Sequence, residues 1–126
     1  MKGRLDKLGV KPDLVVSILG VDDPTFEAEV RSRTSRVSVG RARQASDLVF
    51  LGASQPRTLD RLSSLAATIK PNGAVWVVWP KGRPSLREDD VRRTAIAAGL
   101  VDVKVVSFSD SLSGLKLVIP VAQREA

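Results

Sequence analysis

The sequence predicts an α/β domain whose mostly parallel sheet ends in an antiparallel hairpin. Short apolar runs alternate with helical patterns along the chain, which is typical of successive βα units. Several of these runs are almost continuously apolar, as expected of strands covered on both faces. The connection between the last two runs is too short for a crossover, so these strands should pair antiparallel. With 126 residues, the chain is long enough for one domain with a sizeable core.

The first half of the chain begins with a strand and a short helix. Residues 14–19 form the first apolar run, and Gly20 ends it. The sequence Asp22-Asp23-Pro24 suits a helix start, with an aspartate as N-cap and proline in the first turn. Phe26 and Val30 then lie four residues apart on the buried side of that helix. Two further apolar runs predict strands at 37–39 and 48–51.

The second half continues the alternation. Apolar residues recur at three- and four-residue spacing over 59–69, which predicts an amphipathic helix that Pro71-Asn72-Gly73 ends. A buried strand follows at 74–79. The sequence Ser85-Leu86-Arg87-Glu88 matches a capping box and predicts a second helix, which Gly99 ends in the left-handed conformation.

The last two strands differ in their patterns. Val101, Val103 and Val105 alternate with polar residues, which predicts a half-buried strand. Residues 111–114 have the composition of a turn, and 115–119 predict the returning antiparallel strand.

The composition excludes several kinds of chemistry. The chain has no His and no Cys, so it lacks the commonest general base, a thiolate nucleophile and the usual zinc ligands. The carboxylate run Glu88-Asp89-Asp90 is explained by the first turn of a helix, and we expect no metal site. The apolar runs are too short to cross a bilayer and the first residues lack the apolar core of a signal peptide, so we expect a cytoplasmic protein.

The order of elements after residue 47 carries a resemblance to a known architecture. The strand Asp47-Leu48-Val49-Phe50-Leu51 precedes a helix, the turn Lys70-Pro71-Asn72-Gly73, a buried strand, a second helix and a hairpin. This order resembles the second half of class I S-adenosylmethionine (SAM)-dependent methyltransferases, in which a Lys-Pro-x-Gly turn precedes the fifth strand. The resemblance implies an abbreviated Rossmann-like, methyltransferase-like three-layer sandwich. It supports the fold more than an activity.

A second likeness spans nearly the whole chain. Its marks are Lys7-Leu8-Gly9-Val10-Lys11-Pro12, Trp79-Pro80-Lys81-Gly82, Gly99-Leu100-Val101-Asp102-Val103-Lys104-Val105 and Leu112-Ser113-Gly114-Leu115-Lys116-Leu117-Val118. These segments resemble a family of short bacterial proteins of unknown function with the same abbreviated layout. That family has no agreed activity, so this resemblance implies no reaction.

The first half of the chain departs from the methyltransferase pattern. Members of that class bind SAM at an acidic-Gly-x-Gly-x-Gly turn after the first strand, whereas Ile18-Leu19-Gly20-Val21-Asp22-Asp23 contains one glycine. They also hold the ribose with a carboxylate at the end of the second strand, where Val37-Ser38-Val39-Gly40-Arg41 has none. Too few residues precede Asp47 for two complete βα units, so one strand and one helix are missing. We therefore predict no cofactor and no catalytic residue.

The carboxyl ends of the strands are nevertheless the place to expect a ligand in an open α/β sheet. A small crevice for an anion or a nucleotide-like ligand would be lined by Gly20, Asp22, Gly52, Ser54, Trp79 and Lys81. Single glycines also end strands simply by forming tight turns, so the same residues fit a structural role. Trp76 and Trp79 are three residues apart on one strand and should point to opposite faces, with Trp76 in the core.

A cluster of five arginines carries much of the formal charge of +6. It comprises Arg31, Arg33, Arg36, Arg41 and Arg43, with no acidic residue between them. Guanidinium groups suit phosphate, which favours a nucleic-acid partner. Aromatic residues for base stacking make up only 4% of the chain, which favours a solvated surface or an acidic protein partner instead.

Three functional hypotheses follow. The first is a non-catalytic, methyltransferase-like domain that acts as a binding or interaction module. The second is nucleic-acid binding through the arginine cluster, and the third is a small transferase completed by a partner or a homodimer, since methyl transfer can proceed by positioning alone. Loss of a βα unit would also leave an apolar edge or face to be covered, which favours a homodimer.

Overall fold

A computed structural model describes residues 3–124 and places six strands in one sheet. The strands are β1 (Val16–Leu19), β2 (Val37–Val39), β3 (Ser46–Gly52), β4 (Ile69–Pro80), β5 (Val101–Ser107) and β6 (Leu112–Val118). The α-helices are α1 (Arg4–Leu8), α2 (Phe26–Arg33), α3 (Leu62–Ala66) and α4 (Glu88–Ala97), and 3₁₀-helices span Pro56–Arg61 and Val121–Gln123.

The sheet has the order β2-β1-β3-β4-β6-β5. The first four strands in that order are parallel, whereas β6 pairs antiparallel with both β4 and β5. This arrangement confirms the predicted α/β fold with a mostly parallel sheet and an antiparallel C-terminal hairpin. In the part of the chain described, no helix is both long and apolar enough to cross a membrane.

Helices cover both faces of the sheet, so the fold has three layers. On one face, here called the α1–α2 face, Phe26 packs edge-to-face against Phe50 and Phe108. Trp76 is fully buried on that face and donates its indole N–H to the carbonyl of Leu8, 3.2 Å away. The opposite, α3–α4 face buries a largely aliphatic cluster that includes Trp79. The two tryptophans therefore lie on opposite faces, as their spacing predicted.

A short connector replaces a helix and a strand between β2 and β3. Residues 40–45, here called the connector, run from the end of β2 to the start of β3, and Ala42 packs on the α3–α4 core. Two fully buried serines hold it: the Arg43 amide donates to Ser17 Oγ at 2.9 Å, and Ser46 Oγ donates to the Arg43 carbonyl at 2.5 Å. Ala45 closes the turn with a φ of 63°. The connector thus stands in place of the βα unit whose loss was predicted.

The helix predicted over 59–69 is shorter than expected. The 3₁₀-helix and α3 together end at Ala66, and Ile69 already belongs to β4, where its register partner is Ser46. The prediction was wrong at its end because Ile69 is buried by sheet pairing rather than by a helix face. Pro71-Asn72-Gly73 lies within β4, and Gly73 allows a close approach, since a Cβ there would lie 2.8 Å from the Asp47 carbonyl oxygen.

The start of the last helix also differs from the prediction. The N-cap of α4 is Arg87 rather than Ser85, and the Arg87 amide donates to Asp90 Oδ2 at 2.9 Å. Leu86 is buried, which anchors the preceding loop in the core. Helix α1 was not predicted, because its five residues are too few to show a periodic pattern.

The C-terminal hairpin turns earlier than predicted. The reversal lies between Phe108 and Leu112, where the Phe108 amide donates to the Leu112 carbonyl, and Gly114 lies within β6. Strand β5 is exposed over nearly its whole length instead of half-buried, because it is the edge strand. The register shifts between Asp102 and Lys104, which makes Val103 a β-bulge.

Candidate functional site

The candidate crevice lies at the carboxyl ends of β1 and β3. Strand β1 has β2 on one side and β3 on the other, so the strand order reverses there, and such a point is the usual ligand position in open α/β sheets. Four of the six residues proposed for a crevice, Gly20, Asp22, Gly52 and Ser54, line a cavity of about 250 Å³ here. Its further polar lining includes Thr58 and Arg83, which the sequence did not indicate because neither follows a strand directly.

Direct backbone contact between two glycines closes the floor of this crevice. A Cβ on Gly52 would lie 2.0 Å from the Gly20 carbonyl oxygen and 2.9 Å from the Cα of Val21. Gly20 itself turns with a φ of +65°. The turns after β1 and β3 are therefore in contact, and the remaining cavity is lined on its outer side by Ser54, Thr58 and Arg83.

A second cavity lies on the other side of the Gly20 turn. It has a volume of about 430 Å³ and is lined by the carboxylates of Asp22, Asp23 and Glu27, together with Val39 at the end of β2. Asp23 is already engaged, because its Oδ2 lies 2.6 Å from Arg4 Nη1. Burial opposes ionisation of Asp23, but hydrogen bonds from Arg4 and Thr25 outweigh it and lower the pKa of this carboxyl.

Trp79 and Lys81 do not line the crevice between the two glycine turns. Trp79 is 4% exposed in the α3–α4 core and borders a separate cavity of about 420 Å³ that begins at the Lys81-Gly82 loop. The ammonium group of Lys81 donates to Ser107 Oγ at 2.6 Å. The end of β4 still borders the crevice through Pro80, and Lys81 shares a neighbouring cavity of about 280 Å³ with Asp22 and Arg83.

The five arginines of the predicted cluster fall into two groups. Arg31 pairs with Glu27, and Arg33 pairs with Asp6 at 2.7 Å, so these two stabilise α2 and its contact with α1. Arg36, Arg41 and Arg43 are exposed, and within residues 3–124 none of them forms an ion pair. They flank β2 and lie in the connector.

The carboxylates at the start of α4 have local partners. Glu88 and Asp89 both face Arg92, and Asp90 caps the helix. Among the residues that the structure covers, no group of three or more Asp and Glu side chains is placed to hold a metal ion. The run therefore stabilises the first turn of the helix, in agreement with its interpretation from the sequence.

Known proteins match this chain in their structures but not in their sequences. No protein-family model matches the sequence. No curated protein matches it either. Solved structures do match: a SAM-dependent methyltransferase from Aquifex aeolicus superposes with a TM-score of 0.70 at 14% identity, over 91% of this chain and 87% of that one.

Two further structures show the same likeness. The fibrillarin pre-rRNA processing protein of Methanococcus jannaschii matches with a TM-score of 0.63 at 13% identity, over 87% of this chain and 68% of that one. A TehB-like SAM-dependent methyltransferase from Corynebacterium glutamicum matches with a TM-score of 0.60 at 11% identity, over 92% of this chain and 85% of that one. The chain thus has an abbreviated methyltransferase-like fold, and at these identities the likeness concerns the fold alone.

Proposed function

We propose that this chain is a methyltransferase-like domain that lacks a working cofactor crevice and acts as a binding or interaction module. The observation that carries the proposal is the contact of Gly20 with Gly52, beside which a cavity of only about 250 Å³ remains at the strand-order reversal. In an open α/β sheet this is the position at which a nucleotide-like cofactor would enter between the strand ends.

The residues present do not fit SAM. The turn after β1 has one glycine, so side chains at its other positions keep a ligand away from the backbone. The end of β2 carries Val39 and Gly40, which offer no carboxylate for ribose hydroxyls. The crevice volume of about 250 Å³ lies below the range of roughly 300 to 1,000 Å³ that is usual for small-molecule sites. The second cavity, of about 430 Å³, lies within that range, but Val39 borders it where the ribose carboxylate would be needed. We derive no methyl-transfer step for this chain.

The polar groups of the crevice also lack the arrangement of a hydrolytic site. Ser54 and Thr58 supply hydroxyls, but the chain contains no His or Cys to act as base or nucleophile. Asp22 is exposed, and within residues 3–124 it forms no hydrogen bond with either hydroxyl. An interaction role accounts for this surface without requiring a reaction.

Isothermal titration with SAM and with S-adenosylhomocysteine tests the proposal directly. We expect no saturable heat from either compound. Micromolar binding would contradict the proposal, and loss of that binding in Asp22→Ala would then place the cofactor beside the Gly20 turn, where Asp22 lines both cavities. Ser85→Ala, an exposed substitution away from this crevice, serves as the matched control for the integrity of the variant.

A second candidate function, nucleic-acid binding, is favoured by Arg36, Arg41 and Arg43, which form no ion pair within residues 3–124. Their exposed guanidinium groups can contact phosphates, so binding should weaken steeply with salt. A gel-shift assay at low salt would compare R36A/R41A/R43A with the control R31A/R33A, whose arginines are already paired with carboxylates. Loss of the shifted band in the triple variant alone supports this function, and absence of any shift in the unaltered protein removes it.

A further inference from the structure

We propose that the open face of the C-terminal hairpin binds an acidic, partly apolar segment of a partner protein through Lys104 and Lys116. The inference rests on the proposed role as an interaction module and names its surface. That surface, here called the lysine face, comprises Lys104, Lys116, Val101, Val106 and Val118 on the α1–α2 side of β5 and β6.

The two lysines are direct neighbours across the hairpin. Lys104 on β5 and Lys116 on β6 are register partners, so their side chains leave the same face of the sheet. Trp76 on β4 continues the same row and places it on the α1–α2 face. Helix α4 packs on the hairpin from the opposite face, where Arg92 pairs with Asp102 at 3.0 Å.

Among residues 3–124, no carboxylate forms an ion pair with either of these like charges. The side chain of Lys104 forms one hydrogen bond there, to the Lys7 carbonyl at 3.0 Å. Burial, together with the charges of Lys104 and Lys11, lowers the pKa of Lys116. Like charges directly opposite each other destabilise an antiparallel pair. An external anion would remove this repulsion.

Protection of the sheet edge explains only one of the two lysines. A lysine on an edge strand such as β5 discourages pairing with other chains, which accounts for Lys104. Lys116 lies on β6, which is paired on both sides and has no free edge. Its half-buried charge, in the same row as Trp76, therefore needs another explanation.

The apolar neighbours of the lysines favour a protein segment over a nucleic acid. The row formed by Val101 and Val118 lies next to the lysine row, and Val101 is 39% exposed. Val106 lies on its other side. Trp76 is fully buried, so this face presents no aromatic ring on which a base could stack. A protein segment with carboxylates opposite the lysines and apolar side chains opposite the valines would match this surface in both charge and hydrophobicity.

Fluorescence anisotropy tests this inference with a labelled synthetic peptide that contains Glu and Leu. Its matched control is the same peptide with Gln in place of Glu. We expect the acidic peptide to bind and the Gln peptide to bind at least about tenfold more weakly, since loss of the charge contacts need cost only about 1.4 kcal/mol. The variant K104E/K116E should lose the binding to a similar degree. The variant R36E/R41E changes the net charge equally and should retain it.

Two binding results would overturn the inference: no binding of the acidic peptide by the unaltered protein, and equal losses in the two charge-reversed variants. If the peptide does not bind but a single-stranded oligonucleotide binds in a manner that depends on Lys104 and Lys116, the surface serves nucleic acid and the inference is wrong. Failure of the proposed function is a different result, since it would appear as SAM binding in the titration whether or not the peptide binds.

Urea unfolding of a single variant tests the repulsion between the two lysines independently of peptide binding. Lys116→Glu alone places a negative charge opposite Lys104 and should raise the urea midpoint of the free protein. Arg41→Glu, a charge reversal of an exposed residue at the opposite edge of the sheet, is the control and should not raise it. A lower midpoint for Lys116→Glu would show that the lysine pair is not repulsive and would remove the basis of the inference.

Discussion

At the residue scale, Gly52 decides how closely the turns after β1 and β3 approach each other. No side chain fits there, because a Cβ would lie 2.0 Å from the Gly20 carbonyl oxygen. The sequence marked both glycines as strand ends, but their contact joins residues that are distant along the chain. The contact between the two glycines therefore depends on the tertiary structure.

Gly52→Ala should destabilise the protein by about 1–3 kcal/mol, the usual cost of overpacking a close contact. Urea unfolding followed by circular dichroism measures this change. Gly3→Ala is the control, because a Cβ on residue 3 has open space around it. An unchanged midpoint for Gly52→Ala would mean that the two turns separate readily. It would contradict the proposal that their contact limits the size of the crevice.

Ser17 is the second residue whose role depends on tertiary contact. Its buried hydroxyl accepts the Arg43 amide and lies 2.9 Å from Ser46 Oγ. Ser17→Ala should cost about 1–3 kcal/mol, because it leaves a buried donor unsatisfied. Ser38→Ala, which removes an exposed hydrogen bond to Arg41, should cost less than about 0.5 kcal/mol. Equal losses measured by urea unfolding would contradict the proposed role of the buried serine in holding the connector.

At the element scale, Arg4 joins the first two helices to the hairpin. Its guanidinium pairs with Asp23 and Glu29 of the α2 region and lies 4.9 Å from the ring centroid of Phe108. This contact orients α1, a helix too short to be stable alone. Sequence patterns do not predict α1, because its five residues show no periodicity and the partners of Arg4 are two carboxylates and an aromatic ring farther along the chain.

The Arg4 contact predicts a dependence of stability on pH. The pKa of Asp23 is lower in the folded state than the unfolded value of about 3.9, so its contribution to stability is full above that value and is lost as the pH falls through the folded pKa. Asp23→Asn should therefore flatten the decline of the thermal midpoint below about pH 4. Asp22→Asn, which removes an exposed carboxylate, is the control. Parallel declines for Asp23→Asn and the unaltered protein would contradict this.

Element boundaries failed in the prediction wherever pairing between strands overrode a local pattern. Ile69 continues the apolar spacing of the preceding helix, yet it pairs with Ser46 in the sheet. Val101 and Val105 alternate as in a half-buried strand, yet the edge position leaves β5 exposed. Local periodicity predicts that one side of a helix or strand is apolar. It does not show whether another element covers that side.

At the scale of the whole molecule, the two edges of the sheet bear on self-association. Strand β2 has only three residues, and β5 carries a bulge at Val103 beside Asp102 and Lys104. Short, bulged and charged edges discourage pairing between copies. We therefore expect light scattering to give the mass of a monomer, 13.6 kDa, and Lys104→Val to increase association. A dimer that persists in both proteins would instead support the homodimer expected from the sequence.

The sequence by itself determined the order of the six strands, the mostly parallel sheet, the antiparallel ending and the absence of one βα unit. These follow from local patterns and chain length, which limit what can be built between Gly20 and Asp47. Only the tertiary structure decided that Gly20 meets Gly52, that Arg31 and Arg33 are paired while Arg36 forms no ion pair within residues 3–124, and that Lys104 faces Lys116. The physical reason is that these contacts join segments far apart in the chain, so their distances and charges are set by the register of the sheet.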